Sequence, residues 1–280
     1  MLLGILSGIS AVVAVVLCLI AAEASVLQWL WMLPAGFAGC FLALGVLYFL
    51  FLWFLCAIVD LNKPQEKDNG FYRFFTTITA RAATTILLMK VHTKGMEKLP
   101  KDGRFLLVSN HINDLDPVAL LAFFPKSQLA FISKRENDKK FLVGKLMHKI
   151  LCQPINREND REALKTILKC IQILKEDKAS IAVFPEGYTS LDGLLHPFRS
   201  GVFKIAQKAN VPIVVCTLQN TNKPFKNVLK LKRTHVHLHL LGVIPVEEIK
   251  GVTTVELGNR IHEMMAQDLG PDLVLPEQSS

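Results

Sequence analysis

The first sixty residues of this chain contain no lysine or arginine and only two charged side chains, Glu23 and Asp60, whereas all 32 basic residues lie beyond them. Phe37 to Val59 is an uninterrupted uncharged stretch, about 35 Å long as a helix and enough to cross a hydrocarbon core of about 30 Å. Met1 to Ala22 is also uncharged and predicts a first helix. Between the two, Gln28, Pro34 and Gly36 mark an outer turn, with Trp29 and Trp31 placed where interfacial aromatics sit. Residues 1–60 therefore predict a membrane-anchoring helical hairpin whose ends share one side of the bilayer. Lys63, Lys67, Arg73 and Arg81 follow directly, and this positive charge assigns that side to the cytoplasm. The expectation is an integral membrane protein with the remaining ~220 residues, enough for one α/β domain, on the cytoplasmic face. A signal peptide is the alternative for the first segment, because Ala22-Glu23-Ala24 offers a small-residue cleavage site. Against it stand the lack of a basic start and an apolar run longer than the roughly 7 to 15 residues of a signal.

Residues 61–90 read as a connecting element. Phe71, Phe74, Phe75, Ile78, Ala82 and Ile86 fall on one helical face and Arg73, Thr77, Arg81 and Thr84 on the other, which predicts an amphipathic helix. Such a helix either packs on the domain or lies in the headgroup layer with its arginines toward phosphates. Of the six cysteines, Cys18, Cys40 and Cys56 fall in the membrane segments, and Cys152, Cys170 and Cys216 are scattered without metal-ligand spacing. That usage points to a reduced compartment.

Over residues 91–280, and from Leu88 just before them, apolar runs of strand length alternate with helical patterns. Strands are predicted at Leu88 to Thr93, Phe105 to Ser109, Gln128 to Ser133, Ile150 to Ile155, Ser180 to Phe184, Val211 to Gln219 and His235 to Val243. Helices are predicted near Pro117 to Phe124, Lys139 to Lys149, Asp160 to Glu176, Arg199 to Ala209 and Val246 to Asp268. The pattern implies an α/β fold: a mostly parallel sheet of about seven strands flanked by helices, following the membrane hairpin. Ligands bind outside the carboxyl ends of such strands. Three polar clusters fall there: His111, Asn156-Arg157 and Pro185-Glu186-Gly187.

His111 and Asp116 are set five residues apart where a strand turns into a helix. Asp116 before Pro117 suits an N-cap with proline at the first helical position. From there its carboxylate can hydrogen-bond one imidazole nitrogen, fix the tautomer and leave the other nitrogen to take a proton. The plainer reading makes Asp116 a cap and His111 an ordinary turn residue. Arg157 lies in a charged run that also suits a solvated turn. Glu186, directly after Ile181-Ala182-Val183-Phe184, is expected to point into the crevice, and Gly187 permits close approach of a ligand to the backbone.

Ser109-Asn110-His111 with Asp116-Pro117, then Ile155-Asn156-Arg157, then Phe184-Pro185-Glu186-Gly187, then Val211-Pro212-Ile213-Val214 resemble, in order and spacing, the four motifs of the 1-acyl-sn-glycerol-3-phosphate acyltransferase family. The likeness runs from about Val91 to Pro245. It implies a membrane enzyme of phospholipid synthesis that moves a fatty acyl group from a thioester to the sn-2 hydroxyl of lysophosphatidic acid, forming phosphatidic acid. No cofactor is implied; acyl-CoA or an acyl-acyl carrier protein is the donor substrate, which makes acyl carrier protein a candidate partner. By the match, His111 takes the hydroxyl proton and Asp116 orients it, with Asn110 beside them in the motif. Arg157 binds the acceptor phosphate, Glu186, Gly187 and Ser190 belong to acceptor binding, and Pro212 lines the acyl or donor region. No protein nucleophile is required, and the chain has no Gly-x-Ser-x-Gly elbow.

The family's Glu-Gly-Thr-Arg-Ser reads Glu186-Gly187-Tyr188-Thr189-Ser190 here, so the phosphate-binding arginine of that motif is absent and Arg199 or Lys134 is left to replace it. That departure leaves another lysophospholipid or glycerol 3-phosphate open as acceptor. The rival from another class is a catalytically silent lipid-binding protein on the same fold. Two other signals point to blander roles. His235, His237 and His239 alternate with apolar residues as in any strand with one covered face, and no second ligand cluster completes a zinc site, so no metal is expected. The basic group from Lys134 to Lys149 lacks the interleaved aromatics or module of a nucleic-acid binder, and no nucleic acid is expected as a partner.

Overall fold

The computed structural model describes residues 1–21 and 25–276, so the Ala22-Glu23-Ala24 cleavage motif lies outside the described residues. Two compact units are present, Met1–Asn62 and Lys63–Ser280. The first consists of α1 (Leu2–Ile20) and α2 (Val26–Ala57), both long and apolar enough to cross a membrane. Ser10, Ala14 and Cys18 recur every four residues as the buried stripe of α1, and a Cβ on Gly36 of α2 would lie 3.5 Å from that of Ala14. Small residues let two helices approach closely where no water drives them together. Around this seam, Leu19, Leu27, Leu42, Leu47 and Phe54 stay exposed, as lipid-facing side chains would. The expected turn around Gln28 to Gly36 is not there. Gln28, Trp29 and Trp31 already belong to α2, Pro34 lies inside it, and the Ser25 N–H donates to Gln28 Oε1 at 2.7 Å where the helix starts.

The second unit holds a seven-stranded sheet, β1 (Met89–Lys94), β2 (Leu106–Ser109), β3 (Leu129–Lys134), β4 (Gln153–Ile155), β5 (Ser180–Val183), β6 (Ile213–Gln219) and β7 (Thr234–Ile244), in the order β1-β7-β6-β2-β5-β3-β4. Every neighbouring pair is parallel except β6 and β7. The helices are α3 (Gly70–Ile86), α4 (Asp116–Phe123), α5 (Phe141–Lys149), α6 (Asp160–Lys175), α7 (Lys204–Ala209), α8 (Pro224–Val228), α9 (Val246–Ile249) and α10 (Thr254–Leu269). One face of the sheet packs Leu106, Val108, Ile181 and Ile213 against α6, α7 and α10 through Ile173, Ile205 and Ile261. The other packs Leu107, Val214 and Cys216 with Leu120 of α4. Residues alternate between the two faces along each strand, which makes the central strands apolar throughout.

Two predicted elements differ. The helix expected over Val246 to Asp268 is split at Lys250–Val252, because Thr253 starts a new helix: its Oγ1 accepts from Glu256 N–H at 3.2 Å, and its own N–H donates to Glu256 Oε2 at 2.9 Å. The amphipathic helix is present as α3 but turned differently. Phe71 and Phe74 are 53% and 50% exposed, while Arg73 is 7% exposed and donates to Asp68 Oδ2 (2.6 Å), Leu129 O (3.0 Å) and Ile150 O (3.1 Å). Arg81 donates to Ala122 O. The arginines thus tie α3 to its own domain rather than reaching for headgroups, and 61–90 is no separate connector, since α3 packs on α4, α5 and β1.

Candidate active site

His111 follows β2, Glu186 to Ser190 follow β5, Lys134 ends β3, Asn156 and Arg157 follow β4, and Thr221 follows β6. These strands run parallel, so all of these residues gather at one edge of the sheet. His111 Nδ1 donates to Asp116 Oδ2 at 2.8 Å. The same oxygen accepts from the N–H groups of Ile112 (2.7 Å) and Asn113 (2.9 Å), and the other oxygen accepts from the Thr221 hydroxyl. Asp116 is therefore fully buried with both oxygens satisfied. It is the first helical residue of α4 and not its N-cap, a position taken by Leu115. That single-residue difference turns the carboxylate back into the turn, where it closes the loop around His111.

With Nδ1–H given to a carboxylate, Nε2 is left as the acceptor. The Thr189 hydroxyl donates to it at 3.0 Å. Phe184 stacks on the imidazole with ring centroids 4.1 Å apart and planes at 18°, so the ring has no freedom to swing. The backbone of His111 is held as firmly. Its N–H donates to Glu186 Oε1 at 2.8 Å, and its carbonyl accepts from Ser190 N–H (2.8 Å) and Ser190 Oγ (3.1 Å).

Glu186 was expected in the crevice, but it is 0% exposed and its second oxygen accepts from His196 N–H at 3.2 Å. Burial pushes its carboxyl up to about 7, against the pull of those two N–H bonds. A carboxylate beside the apolar β5 finds backbone donors closer than water. Ser190 is likewise buried and used on His111. Asn110 is consumed by the sheet: its amide donates to Leu218 O (2.9 Å) and accepts from Leu218 N–H (2.8 Å), lashing β2 to β6. All three side chains are buried and bonded to backbone groups.

The remaining cations behave differently. Arg157 has no hydrogen-bond or ion-pair partner among the described residues, and its pKa is lowered by burial and then by the neighbouring Arg199, with Glu136 opposing. Arg199 is exposed, and its Cδ and Nε pack 2.9 Å from where a Cβ would stand on Gly187, whose φ is +83°. The positive φ favours glycine there, and the absence of a Cβ lets the Arg199 side chain lie close. Two neighbouring guanidinium groups are thus left without a carboxylate partner among the described residues. Lys134 is exposed at the end of β3. Pro212 does not join the group. Its carbonyl accepts from Leu106 N–H at the start of β2, which puts it at the opposite edge of the sheet, where a proline simply opens β6.

Three residues beside the site escaped notice in the sequence. Phe184 reads as a strand residue, Thr221 as an ordinary loop polar, and Thr189 only as a missing arginine. The strand-end rule applied to β6 would have flagged Thr221. Beyond them, Tyr188 Oη meets His196 Nδ1 at 2.9 Å, and His196 Nε2 meets Asp192 Oδ2 at 2.9 Å. Among the described residues no group of three or more His, Cys, Asp or Glu is placed to hold a metal ion. His92 and His235 instead share a 2.9 Å contact between ring nitrogens across β1 and β7.

The fold is α/β, and this edge brings together a buried His–Asp pair and two neighbouring guanidinium groups. Residues 90–219 match the acyltransferase family. The chain is 36% identical over 135 residues to a chloroplastic 1-acyl-sn-glycerol-3-phosphate acyltransferase of Brassica napus, covering 48% of this chain and 38% of that protein. It is 35% identical over 176 residues to a chloroplastic protein of the same activity from Arabidopsis thaliana, covering 61% and 48%. A probable 1-acyl-sn-glycerol-3-phosphate acyltransferase of Mycoplasma pneumoniae is 34% identical over 184 residues, covering 64% and 66%. The match thus spans less than two thirds of these relatives' own lengths. Among solved structures, the 1-acyl-sn-glycerophosphate (LPA) acyltransferase PlsC from Thermotoga maritima has the same fold, with a TM-score of 0.62 at 23% identity over 80% of this chain and 87% of that one. Over residues 90–219 the chain is similar to the acyltransferase family, and the relatives it matches are 1-acyl-sn-glycerol-3-phosphate acyltransferases.

Proposed function

We propose that the protein transfers a fatty acyl group from an acyl thioester to the sn-2 hydroxyl of lysophosphatidic acid, forming phosphatidic acid at the cytoplasmic face of a membrane. One observation carries the reading: an alcohol already donates to Nε2 of an imidazole whose other nitrogen is tied to a buried carboxylate. The acceptor hydroxyl gives its proton to the same nitrogen as its oxygen attacks an acyl carbonyl, and Asp116 holds the tautomer and stabilises the imidazolium. The N–H groups of Tyr188 and Thr189 have no partner among the described residues and are the donors at hand for the tetrahedral oxyanion.

Arg157 and Arg199 supply the charge for the acceptor phosphate, a planar fork suited to its oxygens. The arginine missing at Thr189 is thereby replaced from the segment after His196, which supports lysophosphatidic acid as acceptor. The two apolar helices α1 and α2 support a membrane anchor, and the lysines and arginines after them support the cytoplasmic side. Acyl-CoA and acyl-acyl carrier protein both fit as donor. The test is a panel of lysophosphatidic acid, other lysophospholipids and glycerol 3-phosphate, each assayed with both donors in detergent. Lysophosphatidic acid gives the highest kcat/KM if the reading is right. A neutral-headgroup acceptor preferred over it overturns the phosphate assignment, and no product with any acceptor favours the silent lipid-binding protein.

A further inference from the structure

Three large apolar side chains stand further out in water than any others among the described residues: Leu191 at 94%, Leu229 at 87% and Leu231 at 86%. All three lie on loops at the active edge. Leu191 follows β5, and Leu229 and Leu231 lie between β6 and β7. The two loops touch, since a Cβ on Gly193 would stand 3.2 Å from Asn222 Nδ2. Both are fixed to the site: Ser190 holds the carbonyl of His111, and the Thr221 hydroxyl donates to Asp116. The exposure of Leu231 is built in rather than left by a loose loop. The N–H groups of Lys232 and Leu231 donate to Asn227 O and Val228 O, each at 2.9 Å, closing the end of α8 in a pattern whose left-handed position glycine usually fills. Here Leu231 fills it, at φ +51°. An unfavourable backbone and an unfavourable exposure thus fall on one residue, which is the mark of a segment shaped for contact with something else.

Charge says what the leucines meet. From Asn220 to Arg233 the chain carries five basic residues and no acidic one. Lys226, Lys230, Lys232 and Arg233 are exposed, and among the described residues none has an ion-pair partner. Apolar side chains interleaved with lysines suit the boundary between headgroups and acyl chains, where a leucine leaves water and each cation meets a phosphate. An acidic protein also offers anions, but it presents a fixed surface. Leucines on two separate turns need a medium that closes around each. We propose that the loops after β5 and β6 dock into the headgroup layer of an anionic bilayer, with Leu191, Leu229 and Leu231 inserted and the lysines on lipid phosphates. The contact is reversible, is separate from α1 and α2, and selects anionic over zwitterionic lipid. It turns the edge that carries His111 toward the bilayer, where an acceptor lipid lies; this last consequence rests on the acyl-transfer reading, whereas the docking does not.

The test uses full-length protein in vesicles, with Cys40 replaced by alanine because the other five cysteines are buried, and a bimane label on Leu229→Cys. In phosphatidylcholine vesicles containing phosphatidylglycerol, the label's emission shifts to the blue and brominated lipid quenches it; in phosphatidylcholine alone it does neither. A label on Lys101→Cys, exposed ahead of β2 at the opposite edge, stays unquenched in both. Each lysine counts for about fivefold in the docking equilibrium, so K226E/K230E/K232E lowers the ratio of docked to undocked protein by about a hundredfold or more. High salt acts in the same direction. L229D/L231D slows formation of phosphatidic acid from vesicle-borne lysophosphatidic acid by ~10-fold or more and leaves the rate in detergent micelles within about twofold. Three results overturn the proposal: a label at 229 that stays in water on anionic vesicles, equal quenching with and without phosphatidylglycerol, or a blue shift produced in detergent by acyl carrier protein instead of lipid. Wild type that docks but acylates no lysophospholipid removes the acyl-transfer reading and leaves the contact standing.

Discussion

His111 is constrained at every polar atom, and each constraint has a measurable consequence. Asp116→Asn offers an amide where Nδ1–H and two backbone N–H groups need an acceptor. The tautomer is then no longer fixed, and kcat is expected to fall by about 10² to 10⁴ with little change in KM. Steady-state kinetics alongside a far-UV spectrum checks this. Glu186 makes a different prediction. Burial raises its folded pKa from the ordinary 4.5 to about 7, so the folded state binds the proton more tightly than the unfolded chain does. Its contribution is fully present below about 4.5 and is lost as pH rises through about 7. Melting temperature should therefore decline across that window and level off above it, and Glu186→Gln should flatten the decline; an unchanged slope in the variant contradicts the assignment. At this scale the sequence was half legible. A histidine and an aspartate at a strand end are visible as letters, but whether Glu186 faces the crevice or the backbone depends on which donors the neighbouring loops bring, and His196 is ten residues away.

Elements were more legible than side chains, because their signal is spread over many residues. All seven predicted strands form, since apolar runs of that length bounded by turns have one use in a sheet covered on both faces. The last helix was misread because its interior break at Lys250-Gly251-Val252 is brief, although the Thr253 and Glu256 pair marks a fresh start. On α3 the apolar face is only partly buried: Ile78 and Ala82 are covered while Phe71 and Phe74 stay exposed, and Arg73 turns inward to satisfy the carbonyls that end α5 and begin β3. Arg73→Ala leaves the buried Asp68 without its 2.6 Å partner and is expected to cost about 3–5 kcal/mol. Denaturant unfolding of the detergent-solubilised protein measures it, and a loss below about 1 kcal/mol contradicts the role. Gly95 tests the junction of β1 with β7. Its φ is +75° and an added Cβ would stand 2.1 Å from Leu240 O, so Gly95→Ala should destabilise by about 2 kcal/mol or more in the same assay.

At the scale of the molecule, two units of opposite solvent preference share one chain. The near absence of charge from the first sixty residues made that division legible, and three polar clusters at the carboxyl ends of strands made one edge of the sheet stand out. What could not be read was which cations stay unpaired. Arg157 and Arg199 are common letters in a chain with 32 basic residues, and only the folded structure leaves them without carboxylates. Arg157→Ala should raise the KM for lysophosphatidic acid about tenfold or more while leaving kcat within a few-fold, because it removes ground-state binding of the phosphate; an unchanged KM contradicts that role. The central claim is that this edge of the sheet performs general-base acyl transfer from His111. Purified protein in detergent, given lysophosphatidic acid and palmitoyl-CoA, should form phosphatidic acid, and His111→Ala should abolish turnover while its melting curve stays that of a folded protein. Equal rates for the two proteins would contradict the account.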